Sequence, residues 1–315
     1  MKYAFFLGCV IPVKYPGFES ATREVASALD IELVDMEFSC CPSPTVIKLV
    51  HYESWLALAA RNLCLAEEEG LDILTMCNGC TNTLKEANHV LKQEPALRKK
   101  VNEILKPWDR EFKGTIEVKH LLDVLCDDVG LAAISRRATR RIPFGVACHY
   151  GCHFHRPPRI MYPDRLSPSK SLVPTQMDDV LTAIGVRIVP YMRRFLCCGA
   201  ALGTKVDLDA ANEITKEKLR HMADRHVEAI SVACPSCFEQ FDRAQVLLKP
   251  ADGFRFTMPV FYISQLLGLA FDVDEEKLGF SEHRVKVDPL LASTGVRGEA
   301  GHPRREAEQG RGPIS

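Results

Sequence analysis

Two textures of apolar residues alternate along the chain. Short unbroken apolar runs at Lys2 to Gly8, Ile31 to Phe38 and Asp72 to Met76 read as buried strands. Between them, apolar residues recur three and four positions apart. Glu19 to Leu29 is one such helix, and Tyr52 to Glu69 is another, with Trp55, Leu58, Ala59, Leu63 and Ala66 on one face and Gly70 as the stop. Helical pieces over Thr81 to Lys92 and Pro95 to Leu105 complete the first half. The second half repeats the order. Strands are expected over Pro143 to Ala147, Val186 to Tyr191 and Glu228 to Ala233, and helices over Gln176 to Ile184, Asp209 to Arg225 and Phe238 to Leu248. A last strand and helix fall within Phe256 to Phe271.

Short strands separated by helices form right-handed parallel βαβ units. The fold class expected is therefore α/β: two tandem, pseudo-symmetric Rossmann-like lobes, each a small parallel sheet with helices. The lobes are assigned to residues 1–135 and 136–280, with a linker around Ala132 to Ile142. The Pro-rich stretch from Arg156 to Pro174 is expected to be a loop. From Ser281 the apolar pattern fades, and Gly, Arg, Glu and Pro dominate the end, so residues 281–315 are expected to be a disordered tail. In parallel sheets ligands gather at the strand carboxyl ends, and that is where the cysteines lie.

Cys40–Cys41 is followed by Cys77 and Cys80, and Cys197–Cys198 by Cys234 and Cys237. One offset of 157 positions carries the first four onto the second four. An upstream cysteine completes each set, Cys9 in the first half and Cys152 or Cys148 in the second. Thirteen cysteines in 315 residues, with adjacent pairs and Cys-x-x-Cys spacing, point to thiolates holding metal in a reducing compartment and away from a disulfide framework. Thiolates are the ligands of iron–sulfur clusters. Four of them also suit structural zinc, but five per set is one more than zinc needs. Dithiol–disulfide exchange leaves the adjacent pairs unexplained. Cys64 and Cys126 sit in helical apolar surroundings and read as ordinary buried cysteines.

The formal net charge of −1 gives no sign of a nucleic-acid coat. The apolar run before Cys9 is too short for a secretory signal, and Pro259 to Phe271 falls short of a membrane span, so a cytoplasmic location is expected. Glycine-rich phosphate fingerprints are absent from the sequence, which argues against flavin or nucleotide on this chain.

The doubled cysteine pattern, Phe5-Phe6-Leu7-Gly8-Cys9, the run Cys148-His149-Tyr150-Gly151-Cys152-His153, Pro259-Val260-Phe261-Tyr262-Ile263 and Gln265-Leu266-Leu267-Gly268 resemble the B-type catalytic subunit of heterodisulfide reductase, one of the CCG cysteine-rich domain proteins. The resemblance covers about residues 1–272. It implies two noncubane 4Fe-4S clusters, the first held by Cys9, Cys40, Cys41, Cys77 and Cys80. The second would be held by Cys152, Cys197, Cys198, Cys234 and Cys237, with Cys152 favoured over Cys148. It also implies reductive cleavage of a disulfide, CoM-S-S-CoB or a related one, between the clusters. Electrons would come from a ferredoxin-like subunit of the C type, fed by a flavin-bearing subunit of the A type. One departure is Pro42, where the second set has Gly199.

Proton donors are sought among His149, His153 and His155, with His153 the candidate catalytic residue. Arg193, Arg194 and Lys205 are candidates for an anion site on the substrate. Two rival readings remain: a CCG-domain electron-transfer subunit of another dehydrogenase or quinone-linked complex, and a zinc-stabilised assembly module without catalysis.

Overall fold

The computed structural model describes residues 1–42, 47–162, 173–203, 206–248 and 255–296. Its strands are β1 (Lys2–Phe6), β2 (Glu32–Asp35), β3 (Ile73–Thr75), β4 (Val118–His120), β5 (Gly145–His149), β6 (Arg187–Ile188), β7 (Ala229–Val232) and β8 (Val260–Tyr262). They form two four-stranded sheets of identical order, β2-β1-β3-β4 and β6-β5-β7-β8, parallel throughout. The tandem α/β lobes read from the sequence are present, and the two sheets share one topology.

The principal helices are α1 (Pro16–Ala28), α2 (Tyr52–Glu68), α3 (Asn78–Gln93), α4 (Pro95–Leu105), α5 (Leu131–Arg137), α6 (Gln176–Ala183), α7 (Leu208–Ala223), α8 (Pro235–Leu247), α9 (Ile263–Ala270) and α10 (Asp288–Ser293). Parallel neighbours need crossover connections, and these helices supply them. β4 escaped the sequence reading because three residues, one of them Lys119, are too few to show a period.

The first lobe has its own core around Trp55, Leu56, Leu63, Ile73, Leu84 and Leu91. The larger core belongs to both lobes. Phe18 of α1 stacks on Tyr262 at 4.8 Å and meets Phe238 of α8 edge-on at 4.7 Å. Gly17 permits the close approach: a Cβ there would stand 2.3 Å from the Gly279 Cα. The lobes are fused along this seam, and their strand carboxyl ends face each other.

One expectation is corrected. Residues 281–296 are not a disordered tail: α10 forms, and Val287, Leu291 and Val296 are buried. The few apolar residues there all turn inward, and the buried Asp242 carboxylate accepts from the Arg284 and Val285 N–H groups at 3.0 and 2.9 Å. Residues 297–315 lie outside the described residues, as do 163–172 of the Pro-rich stretch. The linker region is also structured, since Leu131–Arg137 is helical and Arg140 donates to the Val296 carbonyl at 2.6 Å.

Candidate metal centre

Six of the ten thiols are placed by a strand end or a helix start, whereas Cys40–Cys41 and Cys197–Cys198 stand in irregular chain well past the ends of β2 and β6. Cys77 caps α3 and Cys234 caps α8, both in extended backbone immediately after β3 and β7. Three residues on, Cys80 and Cys237 fall within the first helical turn, so each Cys-x-x-Cys presents both sulfurs on one side. The helix starts aim N–H groups at the same point, and Ser236 and Cys237 donate from the backbone to the Cys234 sulfur. Cys9 follows β1 and Cys152 follows β5, each behind a left-handed glycine, Gly8 at φ +71° and Gly151 at φ +77°.

The sulfurs converge within each lobe. Cys41 and Cys80 Sγ lie 2.9 Å apart, and Cys198 and Cys237 Sγ 3.5 Å apart. Cys9 stands close enough to Cys40, and Cys152 to Cys197, to shift its protonation. The sets also meet across the lobe boundary, where Cys77 and Cys234 shift each other's protonation. All ten cysteines line one cavity of about 330 Å³. Its described walls add Leu7, Val10, Ile11 and Ile47 but no carboxylate, lysine or arginine.

Crowded sulfurs share protons unequally. Hydrogen bonds from Cys40 and Cys80 pull the Cys41 thiol down to about 4, and those from Cys152 and Cys198 pull Cys197 down to about 2. Cys234 is held well below the ordinary thiol range by Cys237, then Cys77 and its backbone donors. Each set therefore contains thiolate at neutral pH, the form that binds metal. All thirteen cysteines are free of disulfides. Five convergent thiols per lobe, without carboxylate ligands, fit a sulfur-ligated iron centre.

A family model described as "Cysteine-rich domain" matches residues 3–85 and 146–242, one match per lobe. The chain is 36% identical over 293 residues to the B-type subunit of the Ferredoxin/F(420)H(2)-dependent CoB-CoM heterodisulfide reductase of Methanosarcina acetivorans, covering 92% of this chain and 96% of the relative. The chain belongs to the heterodisulfide reductase B-type family of cysteine-rich domain proteins. It is also 28% identical over 291 residues, 92% of this chain and 99% of the relative, to the 8-methylmenaquinol:fumarate reductase membrane anchor subunit of Wolinella succinogenes. A solved structure of a hypothetical protein from Helicobacter pylori shares the fold, with TM-score 0.69 and 16% identity over 91% of this chain and 52% of that one. No helix among the described residues is long and apolar enough to cross a membrane.

The other candidate residues of this heterodisulfide reductase homologue divide sharply. His153 lines the cavity. His149 lies inside β5, fully buried, with Nδ1 3.1 Å from the Tyr191 hydroxyl and Nε2 unpartnered beside Cys198 and Cys237. His155 is buried away from the cavity lining. Cys148 is in the interior of β5, paired with Ser231 and not in the cavity wall, because the strand begins at Gly145 and runs two residues past Ala147. Arg193 and Arg194 do not reach the cavity. Arg193 is exposed and pairs with Glu217 at 3.1 Å, while Arg194 pairs with Asp178 and covers the Tyr150 and Phe195 rings. Lys205 lies outside the described residues.

Several site residues escaped the sequence reading. A Cβ on Gly8 would stand 2.9 Å from Cys80 Sγ, and one on Gly151 3.1 Å from Cys237 Sγ and 2.7 Å from Asn78 Nδ2. The signal was available, since a glycine precedes the upstream cysteine in both halves. Asn78 crosses the boundary to the Tyr150 carbonyl at 2.6 Å. His120 Nε2 reaches the Ala233 carbonyl at 3.0 Å, and the Tyr262 hydroxyl donates to the Met76 carbonyl. His120 and Tyr262 each end the last strand of one lobe and grip the residue before the first Cys-x-x-Cys sulfur of the other.

Proposed function

We propose that this chain reductively cleaves a disulfide in the cavity between its lobes. Cys9, Cys40, Cys41, Cys77 and Cys80 would hold one noncubane 4Fe-4S cluster, and Cys152, Cys197, Cys198, Cys234 and Cys237 the other. The observation that carries this reading is the single cavity lined by all ten thiols of both lobes. When bound, such clusters pass one electron each, so a pair matches the two electrons that an S–S bond consumes on becoming two thiols.

The chain's own residues do the rest. The starts of α3 and α8 point backbone N–H groups at the meeting point of the lobes and favour negative charge on sulfur there. Leu7, Val10, Ile11 and Ile47 form an apolar wall that suits the carbon chains of a thiol substrate and limits water. His153, on that wall, is the proton-bearing group for one departing thiolate, and the second proton enters from solvent past the exposed Cys9 and Cys40. Electrons come from a ferredoxin-like partner subunit, itself supplied by a flavin-bearing one. The substrate proposed is the CoM-S-S-CoB heterodisulfide or a related mixed disulfide.

The test has two stages. Anaerobically purified chain should contain iron and acid-labile sulfide; zinc without sulfide would leave only an assembly role. Reduced viologen should then drive cleavage of the heterodisulfide by the loaded chain. The 28% identity to a subunit of a menaquinol:fumarate reductase favours a second reading, electron transfer within a quinone-linked complex. Iron and sulfide in full amount, with no disulfide cleavage but reoxidation by a menaquinone analogue, would select it.

A further inference from the structure

Among the described residues, the fold buries a cation near the second thiol set and none in the matching place near the first. Lys218 of α7 is 1% exposed. Its ammonium donates to the Arg193 carbonyl, lies 5.9 Å from the Tyr191 ring centroid, and forms no ion pair among the described residues. Burial lowers it only to about 8, so it stays charged at neutral pH, and the charges it feels most strongly are those of Cys198, Cys237 and Cys197. A desolvated ammonium without a carboxylate is costly unless an anion stands nearby. The anion that would stand here is the sulfur-ligated centre held by the second set.

A second difference points the same way. Gly199 N–H donates to Cys197 Sγ at 3.3 Å. The offset relating the cysteines carries Gly199 to Pro42, which has no N–H to give, and Lys218 to Arg61, which is half-exposed with its guanidinium on the Glu37 carbonyl at 3.2 Å. Resting on the two-cluster reading, we propose that the Cys152, Cys197, Cys198, Cys234 and Cys237 site has the higher reduction potential of the two, with Lys218 as the positioning residue that sets it. Reduction adds one negative charge to a site. A fixed ammonium and a sulfur-directed N–H both favour that charge, more strongly in a dry interior than in water.

The experiment is a reductive titration of the anaerobically loaded chain followed by electron paramagnetic resonance. The second site's signal is assigned as the one altered by Cys198→Ser. In the unsubstituted chain that signal should respond first; the reverse order overturns the proposal without any variant. Lys218→Met should lower the reduced-to-oxidised ratio of the second site about tenfold at fixed potential, equivalent to about 59 mV for one electron. The first site should be unmoved, and Lys218→Arg should restore the second. Equal movement of both sites, or of neither in a folded and loaded variant, overturns the proposal. A chain that takes up zinc and no sulfide removes the cluster reading itself, an outcome distinct from a loaded chain with equal potentials.

Discussion

At matching positions of β1 and β5 the first lobe places a ring and the second a polar group. Phe6 packs against Phe38 at 5.0 Å, and Trp55 fills the same core as Cys41 and Cys80. The structural counterpart of Phe6 in the second lobe is His149, linked to Tyr191, and Thr215 donates to the Cys198 carbonyl at 2.8 Å with Gln240 donating to Thr215 in turn. Two lobes with the same strand order and the same sulfur pattern thus surround their thiols with different media. The duplication fixes where the ligands stand, and the later divergence of their surroundings decides how readily each site accepts charge.

The comparison breaks most sharply at the ligands. Cys41→Ser should abolish or alter the spectroscopic signal of the first site alone and Cys198→Ser that of the second, while Cys64→Ser, buried in α2 outside the cavity wall, should leave both signals intact. An equal loss in all three would sink the ligand assignment.

Next in size are the glycines. Alanine at either position takes up a left-handed backbone and crowds a ligand sulfur, for a cost of about 2 kcal/mol or more. Gly151→Ala should lower the melting temperature further than Gly8→Ala, because its Cβ also displaces the Asn78 amide that crosses to the other lobe. Iron content in each variant should drop at the substituted lobe.

The reciprocal grips across the boundary sharpen the comparison at smaller scale. Tyr262→Phe leaves the Met76 carbonyl without its donor and should cost about 1–2 kcal/mol in chemical denaturation. His120→Leu should cost more, since His120 also accepts from Leu122 N as a helix cap, with its own N–H held by Asp123. If the first-lobe grip proved the weaker, the pseudo-symmetric account of the seam would fail.

The last comparison is a pH slope carried by the second lobe, which appears only in acid and vanishes at neutral pH. His283 is packed among Phe238, Phe261 and Phe280, and burial lowers it from 6.5 to about 3. Its folded value lies below its unfolded one, so its contribution is complete above about pH 6.5. It is lost as pH falls towards 3, at up to about 1.4 kcal/mol per unit. His283→Gln should flatten that part of an acid denaturation curve; an unchanged slope would show that His283 is not kept neutral by the fold.

Much of the convergence of thiols was legible because cysteines recurring at fixed spacing fold to matching places in the two lobes. Cys77 and Cys80 at a helix start, repeated as Cys234 and Cys237, declare a thiolate pair wherever the strand before them ends. Cys148 was harder. Its competition with Cys152 turns on whether β5 stops before or after it, and strand ends shift by a residue or two without leaving a mark in hydrophobicity. The arginines misled for a different reason. Arg194 stands near Cys197 in sequence, yet its partner Asp178 lies on α6, a neighbour that only folding supplies.

What the chain alone determined, then, was the duplication, the alternating strands and helices, and the ten thiols, since each is a local or periodic property of residue order. Tertiary structure alone decided that both sets open on one cavity, that Gly8 and Gly151 keep space beside the sulfurs, and that Lys218 is buried without a carboxylate among the described residues. Those facts depend on how two sheets face each other across a shared core, and contacts between residues more than a hundred positions apart leave no periodic trace in the sequence.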